Sequence, residues 1–342
     1  MPCPNGGPMR GEEGFHSKPT RSARATATRR MFAFDWRDEP RLRVSAGEEF
    51  EVETWDAGSG YFRTEADLAI PSKRPGFDRN PPLANPVGGP VFVEGAEPGD
   101  TLVVDILSME LEATSWTAAG PGRGPLGNST RWPGLSGGYT TRILRHEPGP
   151  DGSRGKGTVR LNDRFAWPAK PFVGTLGVAP EREVLTTLDG QGLWGGNLDI
   201  DLACPGNRIF LPVYHPGALF YLGDTHASQG DTEFSGTAAE SQACVRLSLN
   251  LIKGWKTPGI RIETPDRIVA VRVDRPLEAA VQGATEDLMA WLESEYSVGQ
   301  ADAYCLVSTC PDFVVRIHQM CRIGKLSYVA SASLSRALLL GR

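Results

Sequence analysis

The densest chemistry in the sequence lies between residues 224 and 233, where Asp224, His226, Gln229, Asp231 and Glu233 follow the apolar run Ala218-Leu-Phe-Tyr-Leu222. Asp224 and His226 are two residues apart, as are Asp231 and Glu233. In extended backbone such pairs project from one face. Upstream, Gly195-Gly-Asn-Leu-Asp199 supplies a third pair, Asn197 and Asp199. Carboxylates, one imidazole and amides gathered in this way can hold a divalent metal. One nitrogen among oxygen donors suits zinc, manganese or a harder ion better than it suits a thiolate-bound metal. The plainer alternative is a pair of polar loops, since Asp, Asn and Gly are common where strands turn.

Other patterns carry less. Gly122-Arg-Gly-Pro-Leu-Gly127 matches a nucleotide-binding glycine loop, but no strand leads into it and Pro125 interrupts it. Gly134-Leu-Ser-Gly-Gly138 matches a nucleophile elbow, yet Trp132-Pro133 stands where the entering strand belongs. The six cysteines are scattered, without the paired spacing of a zinc ribbon.

Around these residues the chain reads as a β protein. It has 342 residues, and its 40 glycines and 27 prolines suit many short strands joined by turns. Phe50–Thr54, Thr101–Leu107, Val245–Leu251 and Arg267–Val273 are expected strands. In the third, Val245, Leu247, Leu249 and Leu251 alternate with Arg246, Ser248 and Asn250, the pattern of a sheet buried on one side. One long helix is expected from Pro276 to Tyr296, with a shorter helical segment over Ala303–Val307. Strands first and helices late predict a β sandwich or barrel carrying a small α/β element. Residues 1–30, rich in Pro, Gly, Ser, Thr and Arg, read as a disordered leader or a start placed upstream of Met31. A net charge of −5 gives no electrostatic reason to expect nucleic acid or an anionic membrane as partner. No apolar run is long enough to span a bilayer, so a cytoplasmic protein is expected.

Four ordered blocks resemble the acetamidase/formamidase family. They are Gly89-Pro-Val-Phe-Val-Glu-Gly-Ala-Glu-Pro-Gly-Asp-Thr-Leu-Val-Val-Asp-Ile-Leu107, Gly174-Thr-Leu-Gly-Val-Ala-Pro180, Gly195-Gly-Asn-Leu-Asp-Ile200, and Gly223-Asp-Thr-His-Ala-Ser-Gln-Gly-Asp-Thr-Glu233 with its trailing Leu251-Ile-Lys-Gly254. The similarity covers about residues 31–318 and fades beyond. It implies a mainly β fold: a jelly-roll-like sandwich over residues 31–170, then a β-barrel-like, partly α/β half over 171–342. It also implies a homo-oligomer, a dimer being favoured.

The activity implied is metal-dependent hydrolysis of a short aliphatic amide such as formamide or acetamide, with zinc the expected ion and calcium the second choice. Asp199, Asp224, His226 and Asn197 are then the expected ligands, and Glu94, Glu233 and Asp231 the expected acid/base groups. Leu198 stands where the family often has His, and Thr225 and Thr232 where it often has Gly, which predicts a narrowed pocket. Two further readings remain open: a non-catalytic jelly-roll binding module with structural calcium, and a family member shifted to another small C–N substrate. A cupin-type oxygenase fits poorly, because His215 and His226 are eleven apart and only His318 follows.

Overall fold

The computed structural model describes residues 24–25, 30–321 and 325–339. The leader expected over residues 1–30 therefore lies outside the described residues, apart from Arg30 and the short strand Arg24–Ala25, which runs parallel to Glu49–Thr54.

Apolar alternation builds the central strand, Ala243–Ile252, with Val245, Leu247 and Leu249 fully buried. Each such side chain contributes about 1.5–3 kcal/mol by leaving water. This strand pairs antiparallel with Glu49–Thr54 on one side and Thr101–Leu111 on the other, inside a nine-stranded sheet. Sheet order then runs through Arg208–Pro212, Ile260–Glu263, Arg267–Asp274, Tyr328–Ser335 and Val314–Gln319.

A six-stranded sheet lies against it, ordered Gln191–Gly192, Gly195–Asn197, Phe172–Val178, Phe220–His226, Val87–Val93 and Leu42–Val44. Val52, Val104 and Val245 of the first sheet and Val91, Leu176 and Leu222 of the second share one hydrophobic core. A four-stranded sheet, Thr114–Ala119, Thr140–Glu147, Thr158–Arg160 and Ala166–Pro168, completes the β framework together with the two-stranded pair Ala33–Phe34 and Leu185–Thr186.

The protein is mainly β, as expected, but its second half does not close into a barrel. The nine-stranded sheet is open, and it takes strands from both sides of residue 170, so that position is no boundary in the sheets. Its apolar face meets the six-stranded sheet instead of curling onto itself. The long helix runs from Leu277 to Tyr296 and the shorter one from Gln300 to Thr309. Ala284, Leu288, Trp291 and Leu292 of the long helix pack on Ile268, Ala270, Ala332 and Leu334 in a second core. No helix among the described residues is long and apolar enough to cross a membrane.

Candidate active site

Strand Phe220–His226 is buried along its whole length and delivers Asp224 and His226 to one point. The neighbouring strand Phe172–Val178 sets Gly174 and Thr175 beside them. Gly174 is required there, because a Cβ would stand 2.8 Å from Asp199 Oδ1 and 2.7 Å from the Asp224 carbonyl. Asp199 follows the strand Gly195–Asn197, and Glu240 is held by paired backbone bonds with Trp116, of 2.9 and 3.0 Å.

Four side chains converge with a common plan: one polar atom is committed to the scaffold and the other faces the centre. Asp224 Oδ2 accepts from Asn85 Nδ2 at 2.8 Å and lies 3.0 Å from the Thr175 hydroxyl. Asp199 Oδ2 accepts from Gln319 Nε2. Glu240 Oε1 accepts from the Ala238 N–H at 3.1 Å. Gln229 Nε2 donates to the carbonyls of Asp199 and His318, at 2.8 and 3.0 Å, which turns its Oε1 toward His226 Nδ1 at 3.0 Å. That nitrogen must therefore carry a hydrogen, leaving Nε2 pointed inward.

The inward atoms are Asp199 Oδ1, Asp224 Oδ1, Glu240 Oε2 and His226 Nε2, all buried and all without a hydrogen-bond partner. Nε2 stands 3.4 Å from Glu240, 3.5 Å from Asp224 and 3.9 Å from Asp199. Carboxylate oxygens so placed repel one another in a dry site unless a positive charge sits among them.

The crowding shifts the ionisation of every member of the cluster. Burial and the Asp224 charge push Asp199 up to about 7. Burial also raises Glu240. Burial alone would lower the His226 pKa, but the charges of Glu240 and Asp224 hold it well above the ordinary value. Glu233 is raised well above its usual range by burial and by the charge of Asp199. Asp199, Asp224 and Glu233 also share left-handed backbone, with φ of 46°, 54° and 46°. Such conformations cost about 1–3 kcal/mol each and persist where surrounding structure fixes them, often at functional sites.

The acid side of the cluster opens on a cavity of about 490 Å³, lined by Asp199, Asp224, Glu233 and Glu240 among others.

Of the expected residues, Asp199, Asp224, His226 and Glu233 come together here. Asn197 is adjacent, but both ends of its amide are engaged: Oδ1 lies 3.0 Å from the Thr175 hydroxyl and Nδ2 donates to Leu188 O at 2.9 Å. It braces the site instead of presenting a ligand. Asp231 is exposed and ion-paired to Arg316. Glu94 is exposed on its turn, 2.9 Å from Arg43 Nε, and does not line the cavity. An acid/base group must touch the reacting atoms, and neither residue does so from these positions. Leu198 is packed in the core, and the Thr225 hydroxyl bonds Thr54 and Ser241 away from the cavity, so neither it nor Thr232 narrows that space.

Sequence reading missed Glu240, a lone acid in the small-residue run Ala238-Ala-Glu-Ser241. It also missed Asn85, Thr175 and Gln319; the last lies beyond the stretch where the family blocks are recognisable. Cys321 and Leu326, also from that tail, line the cavity.

Comparisons with known proteins point to one family. The Acetamidase/Formamidase family model matches residues 182–276. An acetamidase of Mycolicibacterium smegmatis is 31% identical over 219 residues, covering 49% of this chain and 53% of that protein. A formamidase of Methylophilus methylotrophus is 29% identical over 267 residues, covering 64% and 63%. The matched stretch thus spans between half and two thirds of these curated relatives. The crystal structure of a recombinant predicted acetamidase/formamidase from the thermophile Thermoanaerobacter tengcongensis superposes with a TM-score of 0.80 at 30% identity, covering 93% of this chain and 96% of that one. With the fold, the order of the blocks and the near-complete structural overlap in agreement, this chain belongs to the acetamidase/formamidase family.

Proposed function

We propose that the protein hydrolyses a small linear amide to a carboxylate and ammonia, using a divalent cation held by Asp199, Asp224, His226 and Glu240. The observation that carries this reading is the set of four buried, unpartnered donor atoms, the three carboxylate oxygens each within 3.9 Å of His226 Nε2. One imidazole nitrogen with three carboxylate oxygens favours zinc; calcium, which prefers an all-oxygen shell, fits less well. A cation there supplies polarisation of the amide carbonyl and makes water acidic enough to attack near neutral pH.

The remaining work falls to the chain. Gln229 fixes the imidazole, while Thr175, Asn85 and Gln319 fix the carboxylates, so the donors need no rearrangement. Glu233, buried on the cavity wall beside the cluster, is the proton carrier, acting first as carboxylate and then as acid. It takes a proton from the attacking water as the water oxygen bonds the acyl carbon. It then gives that proton to the nitrogen as the C–N bond breaks, because an amide anion is too poor a leaving group. A homo-oligomeric, cytoplasmic enzyme is part of the same reading.

Ammonia release from purified, metal-quantified protein across a panel of small amides tests the proposal. Release that tracks metal content supports it, and none from any amide with metal bound removes it.

A further inference from the structure

The cavity is far larger than formamide or acetamide requires, and its walls are not uniformly acidic. Facing the same space as the carboxylate cluster are two guanidiniums, Arg74 and Arg123, with Phe77, Trp116, Tyr139 and Leu326 forming apolar wall. Among the described residues neither arginine is ion-paired to a carboxylate. Arg74 Nη2 donates to the carbonyl of Ala57, and Arg123 Nη2 donates to that of Gly236 at 3.1 Å. Arg123 Nε is buried with no partner at all. Arg74 lies over the Phe77 ring, 4.6 Å from its centre, which holds its plane in place.

Burial lowers both arginine pKa values, that of Arg74 to about 10, even though acids of the cluster act on them from a distance. A guanidinium desolvated to that degree is ordinarily satisfied by a carboxylate or phosphate that it can grip through two N–H groups. Nothing in the described chain does this, and the open space lies in front of both.

We infer that the cavity takes an amide whose acyl chain ends in a carboxylate, with Arg74 and Arg123 holding that carboxylate while the acid–histidine cluster meets the amide. The inference rests on the amidase reading above and narrows it: the substrate is a monoamide of a dicarboxylic acid, and its neutral counterpart of equal length is the poor substrate. The apolar wall suits the methylene chain between the two ends.

The test uses the full-length, metal-loaded protein and paired substrates: monoamides of dicarboxylic acids of four to six carbons, each against the neutral aliphatic amide of the same length. The acid-tailed member should have the higher kcat/KM by about 10- to 100-fold, the worth of charge-assisted hydrogen bonds. Arg74→Met and Arg123→Met should collapse that ratio toward one, chiefly through KM for the acid-tailed amide, and Arg123→Lys should restore part of it. A wild-type ratio at or below one, or a ratio that both methionine variants leave intact, overturns the inference.

Should neither class be hydrolysed, the amidase reading has failed, and binding still decides this proposal. Calorimetry on the metal-loaded protein should then show a five-carbon dicarboxylate binding more tightly than the five-carbon monocarboxylate, and equal affinities would overturn it. The same measurement covers variants that fail to fold, because it needs only the wild type.

Discussion

Asp199 and Asp201 are two residues apart and meet opposite fates. Asp201 joins a closed network: Arg316 binds it at 2.9 and 3.1 Å and also binds Asp231, and His318 Nδ1 stands 3.3 Å away. Burial alone would raise the Asp201 pKa, but the hydrogen bonds from His318 and Arg316 outweigh it and hold the carboxyl down to about 2. Asp199 is more deeply buried, no arginine or lysine reaches it, and its pKa rises to about 7. In the first region each carboxylate has an arginine partner within the chain. In the second, three carboxylates face one imidazole, and among the described residues no arginine or lysine is ion-paired to them. The contrast separates a structural ion network from a site better than residue type does, since both regions contain Asp and His.

Breaking the open region should have the largest effect. His226→Ala and Asp224→Ala each remove a donor that the remaining oxygens cannot replace. Amide hydrolysis should fall about 10³-fold or more, the several kcal/mol that a bound cation supplies. A variant with turnover near wild type would mean that the cluster is not the site. Glu233→Gln preserves shape but cannot carry a proton, and kcat should drop by about 10²–10⁴ with metal content unchanged. Loss of metal together with rate would instead make Glu233 a ligand.

The closed region should respond in stability. The pKa of Asp201 is depressed on folding, so its contribution is present above the ordinary carboxylate range and is lost as pH falls toward about 2. Its size is on the order of 2 kcal/mol. Arg316→Met should therefore lower the melting temperature at pH 7 and flatten the acid limb of a stability–pH curve. An unchanged acid limb would show that Arg316 contributes little to the network. At the exposed extreme, Glu94→Gln should leave turnover and stability within experimental scatter, because a solvent-exposed ion pair such as Arg43–Glu94 contributes about 0–1 kcal/mol. A hundredfold loss of kcat would return Glu94 to the chemistry.

The same contrast explains what the sequence made legible. Strands such as Ala243–Ile252 and the helix Leu277–Tyr296 follow from apolar periodicity, which is local. Asp224 with His226 was legible for the same reason, as two side chains on one strand. Asp231 and Glu233 share that spacing, but Arg316, 85 residues away, claims Asp231 and leaves Glu233 in the cavity. Glu240, Asn85 and Gln319 reach the centre through non-local strand pairing and side-chain bonds, so no local spacing marks them. Sheet order was illegible too: strands from both sides of residue 170 alternate in the large sheet, which is why the expected division into halves is not seen.

The central claim is that the inward atoms of Asp199, Asp224, His226 and Glu240 require a cation. Elemental analysis of the purified wild type, repeated after dialysis against a strong chelator and after adding back single metals, tests it most directly. The expected result is about one divalent metal per chain, loss of amide hydrolysis when it is stripped, and recovery with one particular metal, zinc being the expected one. Full activity in protein shown to be metal-free would contradict it.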